Sequence, residues 1–154
     1  MHSSAERFAD KVEEKYDFRP EIREFPEGTK TAEDAANAIN CEVGQIVKSL
    51  VFESEKGLYL VLCSGDNSVD TDKLAMRTSS DSVDMASPDQ VKEVTGWSIG
   101  GVPPLLSDLE VFMDDTLLDY DKVWAAAGTP EAVFSIDPER LKSLSDASVE
   151  TFFD

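Results

Sequence analysis

The sequence predicts an α+β domain in which one mixed, mainly antiparallel sheet is flanked by short helices, with residues 1–154 acting as a single unit. Three observations predict it. The apolar runs are strand-sized, as in Ile46 to Phe52 and Leu58 to Cys63. The helical stripes are short and carry their own capping residues. No repeat, low-complexity tract or linker divides a chain of 154 residues, which is long enough to bury one core without disulfides or metals.

Each element has a local reason. Phe8, Val12 and Tyr16 recur every four residues, which predicts an amphipathic helix from Ser4 to Tyr16 capped by Ser3 or Ser4. Glu21 to Phe25 alternates like a half-buried strand and stops at the turn residues Pro26-Glu27-Gly28. Thr31 then caps a helix from Ala32 to Ile39, with acids in its first turn and Asn40 at its end. Ile46–Phe52 and Leu58–Cys63, joined through Lys56-Gly57, form a predicted hairpin. Gly65-Asp66-Asn67 opens a loop, Asp72 to Met76 reads as a short helix, and Ser87 caps another that begins at Pro88. Strand patterns follow at Ser98-Ile99, Glu110–Met113, Lys122–Ala126 and Ala132–Ser135, and a last helix spans Pro138 to Leu144.

Composition excludes several chemistries. The only histidine is His2, which removes a Ser-His-Asp triad, a Cys-His dyad and a histidine metal site from consideration. Cys41 and Cys63 have no CxxC spacing, and Cys63, closing an apolar run, reads as a small buried hydrophobe. The paired acids Asp114-Asp115 and Asp119-Asp121 do not by themselves make a cation site, so neither metal nor cofactor is expected. No apolar run is long enough to cross a bilayer, and the first residues lack the layout of a secretory signal, so the expected location is the cytoplasm. The net charge of −18, from 32 acids against 14 bases spread along the chain, predicts the solvated acidic surface of a salt-adapted protein, the alternative being an acidic mesophilic one. Neither a membrane nor DNA is an expected partner.

Two features break the surrounding pattern. Lys48 stands alone in an apolar strand, on the face shared by Ile46, Leu50 and Phe52. It is either a lysine at a sheet edge with a packed stem and a wet head, or a fixed cation in a cleft for a carbonyl, carboxylate or phosphate. The run Gly100-Gly101-Val102-Pro103-Pro104 allows close backbone approach and stiffens the exit. It suits either an ordinary tight turn or a pair of amides aimed at an oxyanion. It is not a phosphate loop, because the lysine and the following helix of that motif are missing.

Together these features resemble the YbaK/EbsC-type family of aminoacyl-tRNA deacylases, related to the editing domain of bacterial prolyl-tRNA synthetase. Thr31 to Ala36, followed by Gly44-Gln45-Ile46-Val47-Lys48-Ser49-Leu50-Val51-Phe52, is similar to the family's helix and lysine-bearing strand. Gly100 to Pro104 resembles its GxxxP loop, and Val123 to Pro130 its late strand and glycine turn. The resemblance implies hydrolysis, without a metal, of the ester joining a wrong amino acid to the tRNA 3′ end. Water would attack, Lys48 would hold the substrate's charged or carbonyl groups, and the Gly100 and Gly101 amides would stabilise the developing oxyanion. Thr31, Val102, Pro103, Pro104, Asp114 and Gly128 would bind or orient substrate. A substrate hydroxyl is the family's precedent for help with the proton. Pro103 stands where the cysteinyl-tRNA deacylases have serine, and Leu106 where a small glycine often follows, so the resemblance assigns no amino acid.

Mischarged aminoacyl-tRNA is therefore the expected partner, with an aminoacyl-tRNA synthetase as a second. The rival readings are a non-catalytic tRNA- or synthetase-binding module of the same fold, and hydrolysis of another small ester or amide. At about 1 M salt the Debye length is about 3 Å, so tRNA binding would rest on stacking and hydrogen bonds at the acceptor end. Trp97 is a candidate for stacking, but large aromatics more often supply buried area.

Overall fold

The structure is a computed structural model describing residues 3–25, 31–151 and 153. Helix α1 (Ser3–Tyr16) buries Ala5, Phe8, Ala9 and Val12 as one apolar stripe. Strand β1 (Ile22–Glu24) follows it, while the predicted turn at Pro26-Glu27-Gly28 lies outside the described residues. Helix α2 (Ala32–Ile39) starts where the Thr31 hydroxyl accepts the Asp34 amide at 3.0 Å, and it ends on Asn40 in the left-handed region. Strands β2 (Ile46–Ser54) and β3 (Gly57–Ser64) make the predicted hairpin, closing at Ser54 opposite Gly57.

The second half adds α3 (Thr71–Thr78), β4 (Val83–Met85), α4 (Pro88–Thr95), β5 (Glu110–Asp114), β6 (Val123–Ala126), β7 (Ala132–Ile136), α5 (Pro138–Ser145) and β8 (Ser148–Glu150). Asp70, Ser87 and Asp137 cap the three helices through their side chains. The strands form one sheet in the order β1-β7-β6-β2-β3-β5-β8, with β4 pairing separately with β2. The β1–β7, β6–β7, β2–β3 and β2–β4 ladders are antiparallel, and β2–β6, β3–β5 and β5–β8 are parallel. A mixed, mainly antiparallel sheet is thus the observed architecture.

Both faces of the sheet are covered. Phe8 and Val12 of α1, Val91 of α4 and Leu141 of α5 pack with Val47, Val51, Leu60, Leu62 and Phe134 in the main core. On the opposite face the packing is divided. Leu74 and Ala75 of α3 cover Phe52, Val61 and Phe112, whereas Ala35, Ala36 and Ile39 of α2 cover Ile46 and Val133. Small alanine side chains bring α2 close to the sheet but cover little of it, and Lys48 lies between the two clusters.

Three strand expectations change. The predicted strand at Ser98-Ile99 is a turn, because the Gly101 amide donates to the Ser98 carbonyl at 3.0 Å and Gly100 adopts a φ of +86°. Strands β4 and β8 were not anticipated: each is three residues long with largely exposed or half-buried side chains, and pairing alone defines them.

Candidate active site

The site lies where strand β2 changes partners. Its start pairs with β6 at Ile46 and Val47, and its end pairs with β4 from Phe52 to Ser54. Between these ladders the edge is open. The Val51 carbonyl accepts the Ala86 amide at 3.0 Å. Main-chain groups alternate along an antiparallel strand, so the N–H and C=O of Ser49 point to the same side as those of Val51, into the gap. A cavity of about 610 Å³ opens there, lined by Lys48, Ser49, the start of α2, Gly100, Val102 and the 124–133 segment. Its size suits an amino acid with part of a nucleotide.

Lys48 is half-buried, and its Nζ donates to the Asn67 carbonyl oxygen. Asn67 is held in turn: its Nδ2 donates to Asp114 Oδ2 at 2.9 Å and to Thr116 Oγ1 at 3.1 Å. Asp114 is fully buried and is satisfied by further donors, the Ser64 amide at 3.0 Å to Oδ2 and the Thr116 amide at 3.0 Å to Oδ1. Such a buried carboxylate is tolerable because every contact is charge-assisted. The network fixes the loop after β3 and, through it, the ammonium of Lys48.

Across the hairpin, Lys48 is opposite Cys63. Burial pushes the Cys63 thiol up to about 12, with Asp114 reinforcing the rise and Lys48 opposing it. A thiol held protonated in this way is not a nucleophile. Among the described residues, no group of three or more His, Cys, Asp or Glu side chains is arranged to hold a metal ion. Asp114 has its carboxylate oxygens engaged by the amide donors described above.

The structure brings Thr31, Lys48, Gly100 and Val102 to the cavity wall, but not Gly101, Pro103, Pro104, Asp114 or Gly128. The Gly101 amide closes the turn onto Ser98, so it does not face the cavity as a second oxyanion donor. A β-carbon at Gly101 would lie 2.6 Å from Thr129 Cα, which explains the glycine as a close backbone contact. Pro104 is buried, and Gly128 packs against the indole of Trp97. Asp114 lies behind Lys48, bonded to Asn67, whose carbonyl accepts from the lysine. Trp97 is only 5% exposed and meets Phe8 edge-on at 6.2 Å, so it is a packing residue.

Sequence reasoning missed Ser49, Glu33, Ile99, Thr129 and Pro130 in the cavity wall and Asn67 behind it. Ser49 Oγ is buried with no hydrogen-bond partner among the described residues. A serine between two valines on the core face of a strand was the available signal. Among the described residues, Glu33 supplies the only carboxylate of the wall, at its exposed rim.

The chain is similar to known aminoacyl-tRNA editing proteins. The family model described as aminoacyl-tRNA editing domain matches residues 26–144. The uncharacterized protein YwhH of Bacillus subtilis (strain 168) is 33% identical over 132 residues, covering 84% of this chain and 83% of YwhH. A proline–tRNA ligase of Lactobacillus helveticus (strain DPC 4571) is 31% identical over 129 residues, covering 82% of this chain but only 22% of the ligase. A crystal structure described provisionally as a trans-editing enzyme for prolyl-tRNA synthetase superposes with a TM-score of 0.94 at 42% identity, covering 100% of this chain and 99% of that one.

Proposed function

The chain belongs to the aminoacyl-tRNA editing domain family, and from that membership we propose that it hydrolyses mischarged aminoacyl-tRNA in trans. The observation that carries the reading is the Lys48 ammonium, held by the Asn67 carbonyl in the wall of a cavity that the Gly100 turn also lines. The likeness to proline–tRNA ligases and to the trans-editing structure supports tRNA for proline as the carrier and prolyl-tRNA synthetase as the source of the error.

In the proposed mechanism the terminal adenosine enters the cavity with its aminoacyl ester between Lys48 and Gly100. Water oxygen bonds to the ester carbonyl carbon, and negative charge moves to the carbonyl oxygen. Lys48 and the Gly100 amide, which has no backbone partner among the described residues, stabilise that charge. The ribose–oxygen bond to the carbonyl carbon then breaks. The ribose oxygen takes one proton of the attacking water, relayed by a neighbouring substrate hydroxyl, and the amino acid leaves as a carboxylic acid that gives the second proton to solvent. In this reading the Ser49 carbonyl oxygen and the Glu33 carboxylate accept from the α-ammonium group. Thr31 contributes by capping α2, while Val102 shapes the pocket against side chains of the wrong size.

The test is deacylation of a panel of mischarged tRNAs in high salt by wild type and Lys48→Ala. Losing one donor to a developing oxyanion costs about 10²- to 10³-fold in kcat. Lys48→Ala should fall by that factor while remaining folded. No ester cleavage by wild type above the spontaneous rate refutes the enzyme and favours the non-catalytic binding module. Cleavage that survives Lys48→Ala refutes the site.

A further inference from the structure

Folding gathers charges that are dispersed in the sequence. Arg7, Lys11 and Lys15 recur every four residues along α1, each about 6 Å from the next, and occupy one side of the helix. Glu6, Asp10 and Glu13 lie further round, where Arg19 bonds to Asp10 at 2.9 Å and lies 3.8 Å from Glu13. The three α1 cations, with Gly96 and Trp97, line a cleft of about 530 Å³ in which Glu14 is the only carboxylate of the wall among the described residues. Lys92 of α4 reaches the same place, donating to the Gly96 carbonyl at 3.4 Å. Among the described residues, Lys11, Lys15 and Lys92 have no carboxylate within ion-pair distance. Four of the chain's 14 basic residues thus meet at one cleft of a protein carrying 32 acids.

We propose that this cleft binds the phosphodiester backbone of the tRNA acceptor end, which rests on the deacylase reading and adds where the nucleic acid lies. Position supports it. Gly96 and Trp97 line the basic cleft while Ile99, Gly100 and Val102 line the main cavity, so the two share one loop. Trp97 and Gly100 are three residues apart, at most about 11 Å of extended chain. A strand whose 3′ end occupies the cavity and which crosses this loop meets the cations. Arg7 is already organised: its guanidinium stacks 3.9 Å from the Trp97 ring centroid and donates to the Gly96 carbonyl at 3.1 Å. The net charge of −18 does not oppose this in salt. At about 1 M the Debye length is about 3 Å, so contacting cations act on a phosphate while distant acids are screened.

The test uses the double variant Lys11→Gln/Lys15→Gln. Both side chains are exposed and glutamine is as good a helix former as lysine, so α1 is retained. Binding of uncharged tRNA is followed by fluorescence anisotropy over an about fourfold range of salt. Each lost phosphate contact lowers the log–log salt slope by about 0.7 to 0.9, so the variant should lose about tenfold less affinity than wild type across that range. Its KM for mischarged tRNA should rise about tenfold at the low-salt end, whereas hydrolysis of an aminoacyl ester of adenosine, which has no phosphate backbone, should not change. An unchanged salt slope, or no tRNA binding by wild type, overturns the proposal, and the first result assigns the cleft to an acidic protein surface instead. If the slope falls in the variant but wild type cleaves no ester, the cleft stands and the deacylase reading fails.

Discussion

Asp114→Asn tests whether the site is built from behind. The carboxylate takes the Ser64 amide and Asn67 Nδ2 on one oxygen and the Thr116 amide on the other. An asparagine can present its oxygen to only one of these groups of donors. The better orientation keeps Ser64 and Asn67, turning its own NH2 toward the Thr116 amide. That leaves a half-buried donor unsatisfied, which costs about 1–3 kcal/mol, and two charge-assisted bonds become neutral, losing roughly 0.5–1.5 kcal/mol each. The sum is about 2–6 kcal/mol, or a fall in Tm of about 4–24 °C for a chain of this length. The second effect is on Lys48, whose acceptor belongs to the loosened Asn67. Thermal melts and deacylation rates are measured on the same preparation, below the variant's melting range, with Thr116→Val as the control. Thr116→Val removes only one acceptor of Asn67 and should cost about 1 kcal/mol, with activity within about twofold of wild type. Asp114→Asn should lose at least about tenfold in kcat with a smaller change in KM. A variant that melts within about 2 °C of wild type and retains full kcat refutes the network as the lysine's support.

Two further outcomes follow from the geometry. Gly101→Ala places a β-carbon 2.6 Å from Thr129 Cα and 2.8 Å from its amide nitrogen, so two backbone segments must separate. Gly44→Ala meets the Tyr120 hydroxyl at 2.2 Å, the far end of a side chain that can rotate away. Urea titration should therefore find Gly101→Ala destabilised by more than about 2 kcal/mol, as overpacking predicts, and Gly44→Ala by clearly less. The second outcome concerns pH. An unfolded thiol titrates near 9.0, whereas burial raises folded Cys63 to about 12. Between these values the folded state keeps a proton that the unfolded state has lost, so the stabilisation is complete below 9.0 and declines as pH rises toward 12. Moving from pH 8 to pH 10 should lower stability by about 1.4 kcal/mol more in wild type than in Cys63→Ala. Equal losses in the two proteins place the titration elsewhere.

Local signals carried much of the fold. Thr31 with Asn40, and Ser87 with Pro88, marked α2 and α4, because capping satisfies helix ends from residues adjacent in sequence. The two apolar runs around Lys56-Gly57 became β2 and β3, since a strand and its neighbour joined by a two-residue turn need little distant information. Strands β4 and β8 had no such signal, being defined by main-chain bonds to partners about thirty residues away or more. Ser98-Ile99 shows the opposite case: both residues are strand-compatible, and the left-handed Gly100 turns the chain after them.

The same division runs through the site. By itself the sequence determined that Lys48 interrupts an apolar strand and that a glycine-proline turn lies further along, because burial cost and φ restriction belong to single residues and their neighbours. It also determined that histidine chemistry is absent from the chain beyond His2. Tertiary structure decided which partner each group found. It placed Asp114 behind Asn67, turned the Gly101 amide onto Ser98, opened the β2 edge at Ser49 and buried Trp97 against Phe8. It also gathered Arg7, Lys11, Lys15 and Lys92 around one cleft of an acidic protein. Hydrogen bonds and charge contacts act over a few ångströms of space, and only the folded chain sets those distances.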